Sequence, residues 1–293
     1  MSKPERTAVI GIAVAAALGA IAAWAGSDGG DTIGSLPVFT VLVLASFAIN
    51  IAVFLPSYKA GTEHFYDLTG SLTYISVTTL ALITSSNLDL RSIIAALLIY
   101  VWAGRLGTFL FRRIRHSGKD GRFDQIKTSF LRFLMAWVLQ GLWVTLTAGA
   151  AYAAITSGTK TSFGVLGIIG LCTWIVGFAI EVIADMQKTA FRADPTNAGD
   201  FITTGLWAWS RHPNYFGEIM LWTGMAIMVL PALAGFQYLM LISPLFVATL
   251  LLGVSGVPML ERRADARWGA QSDYQRYKAT TPVLVPRPPA TSA

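Results

Sequence analysis

The chain has 293 residues, of which 54% are hydrophobic and only 13% are charged. Soluble domains carry about 25% charged residues. The composition therefore excludes a soluble globule and a disordered chain, and it excludes a nucleic-acid-binding protein despite the net charge of +6. We expect an all-α polytopic integral membrane protein, a bundle of seven to eight transmembrane helices.

Eight stretches are long and apolar enough to cross about 30 Å of hydrocarbon as helices. The third is rich in Ser and Thr and the last contains Pro244, which neighbouring helices can accommodate in a membrane. A cleaved or peripheral first helix would leave seven spans. The predicted spans lie near residues 7–25, 37–55, 68–84, 91–111, 130–155, 163–185, 215–232 and 238–257.

The positions of the basic residues support eight spans. With the N-terminus in the cytoplasm, 18 of the 22 Lys and Arg residues lie on the inner side, as the positive-inside rule requires. Only Arg91 and Lys160 lie outside. Both termini should then be cytoplasmic, and a site for a charged ligand should open to the cytoplasm, where the long segments are 112–129, 186–214 and 258–293.

The sixth predicted span ends in a polar stripe. Glu181, Asp185, Lys188 and Arg192 follow at i, i+4, i+7 and i+11, which places them on one helix face. A solvated helix end would account for Lys188 and Arg192. Glu181 lies deeper, where a carboxylate is costly and indicates a functional site.

The next segment leads into the seventh span. We predict a turn over 194–197, then a short interfacial helix over 201–210 that Asp200 caps and whose two Trp residues lie among lipid headgroups. Pro213 is suited to the first turn of the span. A juxtamembrane anchor is the alternative, although an anchor does not need an acidic residue on the face shared by Asn214, Glu218 and Trp222.

The tail beyond residue 258 is basic and aromatic. It is typical of an amphipathic segment that lies on anionic lipid. The same residues would also form a clamp for a polyanionic cofactor, because guanidinium groups bind phosphate oxygens in pairs. The sequence leaves both alternatives open for Arg262, Arg263, Tyr274 and Tyr277.

Taken together, SRHPNYFGE, the span after it and the tail ERR…W…DYQRYK…VP resemble the membrane steroid 5α-reductases and sterol reductases, which share this signature with isoprenylcysteine carboxyl methyltransferases. The stretches FAINIAVFLPSY, DLTGSLTYISVT, FDQIKTSFLRF and VLQGLWV resemble the reductases. The resemblance covers residues 37–287 as one catalytic domain. It leaves 1–36 as an extra N-terminal helix and loop, and 288–293 as a flexible tail.

The resemblance implies a bacterial inner-membrane enzyme that uses NADPH to reduce the Δ4 double bond of a 3-oxo-Δ4 steroid or a similar lipidic enone. Hydride would go to C5 and a proton to C4. The chain has no GxGxxG loop, so side chains would hold the nucleotide in a cavity capped by the cytoplasmic loops and tail. The implied cofactor-binding residues are Glu181, Asp185, Arg192, Arg211, His212, Asn214, Tyr215, Glu218, Arg262, Arg263, Tyr274 and Tyr277.

The resemblance also implies an acid and a tyrosine at the carbonyl end of the substrate. An apolar pocket would keep Glu63 protonated as the acid, whereas an exposed loop carboxylate is the alternative. The catalytic candidates are Glu63, Tyr66, Tyr100 and Trp102.

Two other functions stay open at this stage. One is an S-adenosylmethionine-dependent methyltransferase of a lipidic isoprenoid substrate, and the other is a transporter or structural bundle. We expect membrane lipids and a steroid or isoprenoid substrate as partners, a monomer, and neither a nucleic acid nor a metal ion.

Overall fold

A computed structural model describes the backbone of residues 1–117 and 123–289, and the side chains of all these residues except 112–117. The predicted inner segment 112–129 and tail 288–293 therefore lie partly outside the described residues. The described chain is helical apart from a small antiparallel hairpin of β1 (Thr32–Ile33) and β2 (Leu36–Pro37). The helices are α1 (Lys3–Gly26), α2 (Val38–Lys59), α3 (Tyr66–Thr84), α4 (Leu90–Ser117), α5 (Phe130–Thr147), α6 (Gly149–Thr156), α7 (Val165–Ala193), α8 (Pro213–Val229), α9 (Ser243–Thr249), α10 (Val257–Trp268) and α11 (Ser272–Thr280).

Seven helical stretches of the described residues are long and apolar enough to cross a membrane, which confirms an all-α polytopic membrane protein. The predicted span 68–84 forms α3 but is not among them. Its 19 residues exceed the 18 of α5, so polarity and not length sets it apart. Several of its threonine hydroxyls donate to carbonyl oxygens four residues earlier in α3 or just before it, which pairs them locally.

Two predicted helices differ from the structure. The span 130–155 is interrupted at Ala148, where the Ser243 hydroxyl donates to the carbonyl oxygen of Thr147 at the end of α5. The interfacial helix over 201–210 is wrong: only a 3-10 turn forms, at Gly205–Ala208, and Asp200 caps no helix. Trp207 is buried there in a cluster with Ala184 and Ile202, and its indole N–H donates to the carbonyl oxygen of Ala184 on α7.

The chain divides into two compact units. Unit 1 comprises residues 1–167 and 228–243, and unit 2 comprises residues 168–227 and 244–293. In unit 1, α1 packs through small residues: Gly11 lies against Met135 and Gly19 against Phe47. Small residues allow membrane helices to approach closely, so α1 is part of the packed unit.

Contacts within unit 1 explain the two basic residues that the charge pattern places on the outer side of the membrane. Arg91 is buried, and its guanidinium donates to the carbonyl oxygens of Met228, Thr161 and Ser162 at 2.9, 3.0 and 2.8 Å. The ammonium of Lys160 lies 3.0 Å from the carbonyl oxygen of Ile155. Both cations bind backbone carbonyls, so they have a structural role that charge counting cannot detect.

Candidate functional site

The predicted cofactor-binding residues lie in unit 2, on a helix pair that packs backbone to backbone. A Cβ atom added to Gly177 of α7 would lie 2.6 Å from the backbone nitrogen of Leu221 on α8. One added to Gly217 of α8 would lie 2.6 Å from the backbone nitrogen of Glu181. Because real side chains never come this close, glycine is required at this crossing, and the crossing fixes the register of α7 against α8.

This register brings two predicted residues together. The Asn214 amide donates to the Asp185 carboxylate at 3.2 Å. Asp185 is 9% exposed and Glu181, one turn deeper, is 3% exposed. Glu218, one turn along α8 from Asn214, is half-buried. The deeper part of the predicted polar face of α7, Glu181 and Asp185, is therefore buried beside α8, whereas Arg192 at the end of the helix is exposed.

The residues before α8 bind a carboxylate of the tail. The Arg211 guanidinium donates to Glu261 Oε2 at 2.5 Å, and His212 Nε2 lies 2.9 Å from Glu261 Oε1. The Tyr215 ring stacks on the His212 ring, with centroids 5.5 Å apart and planes 9° from parallel. Burial lowers the pKa of His212 although Glu261 acts to raise it. These contacts join the start of α8 to α10.

Two tail tyrosines donate to other parts of unit 2. The Tyr277 hydroxyl donates to the carbonyl oxygen of Trp207 at 2.7 Å, and the Tyr274 hydroxyl donates to Asp265 at 3.1 Å. Burial, together with the Asp265 carboxylate, raises the pKa of Tyr274 to about 12. Burial raises the pKa of Tyr277 as well. Both phenols are therefore neutral donors at physiological pH.

The segment after α11 runs along the loop that precedes α8. The Arg211 backbone N–H donates to the Pro282 carbonyl oxygen at 2.9 Å, and the Arg287 N–H donates to the Trp209 carbonyl oxygen at 3.0 Å. The Ser210 hydroxyl donates to the Leu284 carbonyl oxygen at 2.8 Å. The tail is thus fastened to unit 2 along its length, which a segment that only lies on lipid does not need.

Three predicted arginines are exposed. Arg192 lies at the end of α7, and Arg262 and Arg263 lie on α10. Arg262 Nε donates to the carbonyl oxygen of Pro258 in its own helix. Guanidinium groups on the surface of the tail are suited to phosphate oxygens.

Unit 2 also has a surface groove of about 530 Å³. Tyr277 is the one predicted cofactor-binding residue on its lining, beside Phe191, Phe201 and polar side chains. The groove is therefore not the place where the buried Asp185–Asn214 pair lies.

The catalytic candidates lie in unit 1, where Glu63 pairs with Lys127. The two side chains lie 2.8 Å apart, and that of Glu63 is 2% exposed. A neighbouring ammonium favours the carboxylate form, which counts against the expectation of a protonated Glu63, and its burial contradicts the alternative of an exposed carboxylate. The hydrogen bond to Glu63 raises the pKa of Lys127. Sequence reasoning missed Lys127, which lies 64 residues away.

The four catalytic candidates do not converge. Tyr66 lies beside Glu63, and its hydroxyl donates to the Ala136 carbonyl oxygen at 3.0 Å. Tyr100 lies 2.8 Å from the Thr79 hydroxyl, about 20 Å along α3 from Tyr66 at 1.5 Å per residue. Because Thr79 already donates to Ile75, the Tyr100 proton points to Thr79.

Trp102 is the last of these candidates. It is buried, and its ring packs edge-on against that of Tyr74 with centroids 5.1 Å apart. Trp102 is thus a core residue of the α3–α4 pair, some two turns along α3 from Tyr66.

Sequence reasoning also missed Glu261 as a site residue. It is the first acidic residue after the last predicted span, and the adjacent hydrogen-bond donors Arg211 and His212 were the signal that an acceptor was needed.

Comparison with known proteins gives a family but no activity. An uncharacterised protein of Schizosaccharomyces pombe is 27% identical over 159 residues, which cover 45% of this chain and 46% of the yeast protein. The chain thus matches less than half the length of this curated relative. No solved structure matches. The model of the DUF1295 family, described as a protein of unknown function, matches residues 53–281, which include α3 to α11 and the contacts of Asp185, Asn214 and Glu261. The chain therefore belongs to the DUF1295 family.

Proposed function

We propose that the protein is an NADPH-dependent reductase of the Δ4 double bond of 3-oxo-Δ4 steroids or similar lipidic enones. The observation that carries this proposal is the buried Asp185 carboxylate paired with Asn214, held on a glycine-packed helix pair of a membrane protein. Buried ionisable groups in membrane helices mark functional sites. The relation of the DUF1295 family to the steroid 5α-reductase superfamily supports the reductase chemistry.

The residues of unit 2 fit a dinucleotide chemically. Carboxylate and amide groups at Glu181, Asp185, Asn214 and Glu218 would bind the hydroxyl and carboxamide groups of NADPH. Basic side chains would bind its phosphates, with tyrosine hydroxyls as further donors; these are Arg192, Arg211, His212, Tyr215, Arg262, Arg263, Tyr274 and Tyr277. Bound NADPH would supply the hydride that adds to C5 of the enone.

In unit 1 we assign Tyr66 to the substrate carbonyl. Its phenol, turned from the Ala136 carbonyl oxygen to which it donates in the structure, would donate to the enone oxygen as negative charge develops there. Glu63, which accepts from Lys127, would as an anion hold the residues at the start of α3, Tyr66 among them, in place. Tyr100 and Trp102 have no role in the proposed reaction, because their contacts lie farther along α3.

We further propose that the protein lies in the inner membrane as a monomer, with both termini and the nucleotide site on the cytoplasmic side. The substrate would then enter from lipid. The excess of Lys and Arg in the predicted inner segments supports this orientation.

Ligand-dependent thermal stability of the purified full chain tests the cofactor. A bound ligand at about 100 times its Kd stabilises a protein by about 2.7 kcal/mol. We expect NADPH to raise Tm and S-adenosylmethionine to leave it unchanged. Incubation with NADPH and a panel of Δ4-3-ketosteroids should then yield 5α-reduced products by mass spectrometry. Stabilisation by S-adenosylmethionine alone would instead support the methyltransferase.

Substitutions on α8 test the site. Asn214→Ala and Glu218→Ala should each lower enone reduction at least 100-fold without loss of protein from the membrane. Thr223→Ala is the matched control, because the Thr223 hydroxyl donates only to the Ile219 carbonyl oxygen of its own helix. Full activity of both site variants would rule out this nucleotide site.

A further inference from the structure

Glu261 holds two side chains at the start of α8. Its Oε2 accepts from Arg211 Nη1, its Oε1 lies 2.9 Å from His212 Nε2, and the Lys278 ammonium lies 3.7 Å away. Neighbouring cations favour an ionised carboxylate. An ionised carboxylate only accepts hydrogen bonds.

The contact with Glu261 fixes the tautomer of His212. Because the carboxylate only accepts, the proton of the neutral imidazole lies on Nε2, and Nδ1 is left as an acceptor. Burial, with the positive charges of Lys188 and Arg211, lowers the pKa of His212, against the effect of Glu261. The ring is therefore neutral at physiological pH.

Two buried atoms of this cluster have no hydrogen-bond partner among the described residues. They are Nδ1 of His212, an acceptor, and Nε of Arg211, a donor. The side chains are 6% and 11% exposed. Buried polar atoms are nearly always paired in folded proteins, so a complementary donor and acceptor are missing beside α8.

We infer that Glu261 is a positioning residue of the nucleotide site. It holds His212 and Arg211 so that His212 Nδ1 accepts a hydrogen bond from a hydroxyl or amide group of the nucleotide, and Arg211 Nε–H donates to a phosphate oxygen. NADPH carries both kinds of group. This inference rests on the proposed function and adds to it a residue that does not touch the nucleotide but positions two residues that do.

The dissociation constant of NADPH, measured with the full chain in nanodiscs, tests the inference. Glu261→Gln removes the anion, and we expect the Kd to rise at least 10-fold. Glu261→Asp should restore it to within threefold of the parent protein. Asp273→Asn is the matched control: Asp273 is a tail carboxylate in an exposed ion pair with Arg276 at 4.0 Å, and its loss should leave the Kd unchanged.

A second variant separates positioning from folding. Arg211→Lys keeps a cation beside Glu261 but lacks the Nε–H group, so we expect a Kd for NADPH at least fivefold higher with an unchanged Tm of the ligand-free protein. At saturating NADPH, the KM for the enone and kcat of Glu261→Gln should change less than threefold. If Glu261→Gln does not fold, the Kd for NADPH of Arg211→Lys tests the inference, and an unchanged Kd overturns it.

The outcomes distinguish this inference from the proposed function. If the parent protein does not bind NADPH, the proposed function fails and the inference with it. If the parent binds and Glu261→Gln binds equally well, only the role of Glu261 is overturned. An equal loss of nucleotide affinity, enone affinity and Tm would also overturn it, because that pattern indicates a general structural role.

Discussion

The ion pair between Glu63 and Lys127 joins the loop before α3 to the loop before α5. Lys127 is the better exposed partner, with 23% of its side chain accessible, and Glu63 is almost fully enclosed. Removal of one partner from a buried ion pair leaves an uncompensated charge, whereas replacement of both is tolerated much better.

We therefore expect Lys127→Met to destabilise the protein by about 3 kcal/mol, and Lys127→Met combined with Glu63→Gln to recover most of this loss. Tm in detergent is the measurement. Because the pKa of Lys127 is raised from 10.5, the stabilisation is complete below about pH 10.5 and is lost as the pH rises through the folded-state pKa. A double variant less stable than Lys127→Met would contradict this account.

Asp31, just before β1 in unit 1, predicts a second pH dependence of stability. Burial acts to raise the pKa of Asp31, but hydrogen bonds from Ser86 and Ser85 outweigh burial and lower it from 3.8. The stabilisation is therefore complete above about pH 4 and is lost as the pH falls through the lowered pKa. Asp31→Asn should have a lower Tm than the parent at pH 7, and the difference should shrink as the pH falls below about 4. A difference that persists there would show that charge is not its source.

At the scale of elements, the α7–α8 crossing sets the site. The backbones touch where Gly177 meets Leu221 and where Gly217 meets Glu181. Any side chain at these glycines must move one helix against the other. The Asp185–Asn214 hydrogen bond joins the same two helices two turns farther along α7 from Gly177, so it would move as well.

Gly177→Ala should thus lower stability by about 1–3 kcal/mol, as overpacking does, and should weaken nucleotide binding as well. Gly104→Ala on α4 is the control, because an added Cβ there meets no atom within 4 Å, and alanine favours a helix by up to about 1 kcal/mol over glycine. Thermal unfolding and NADPH titration check both variants. Equal behaviour of the two would contradict the requirement for glycine at the crossing.

At the scale of the whole molecule, the charge pattern predicts which loops face the cytoplasm. In a Cys172→Ser background, Thr159→Cys should react with an impermeant maleimide added to intact cells. Gln275→Cys should react only after lysis. Thr159 and Gln275 are both exposed on the protein surface, so access depends on the side of the membrane. The reverse pattern would invert the proposed topology.

Periodicity along one segment is visible in the sequence, whereas contacts between distant segments are not. The polar face of α7 follows from the spacing of Glu181 and Asp185, because helix geometry alone sets it. The partner of His212, by contrast, is 49 residues away. Trp207 shows a further limit. An aromatic residue near a membrane end suggests the headgroup layer, yet Trp207 packs against Ala184 of α7 and is buried.

The hydrogen bonds between residues 209–211 and 282–287 have a consequence for biosynthesis. The loop before α8 emerges from the ribosome about 70 residues before the segment 282–287 to which it is hydrogen-bonded. At elongation rates of roughly 5–20 residues per second, α7 and α8 wait several seconds in the membrane without their cover. A translational stall inside α11 would therefore leave a chain that has α7 and α8 but lacks the segment that covers the loop between them.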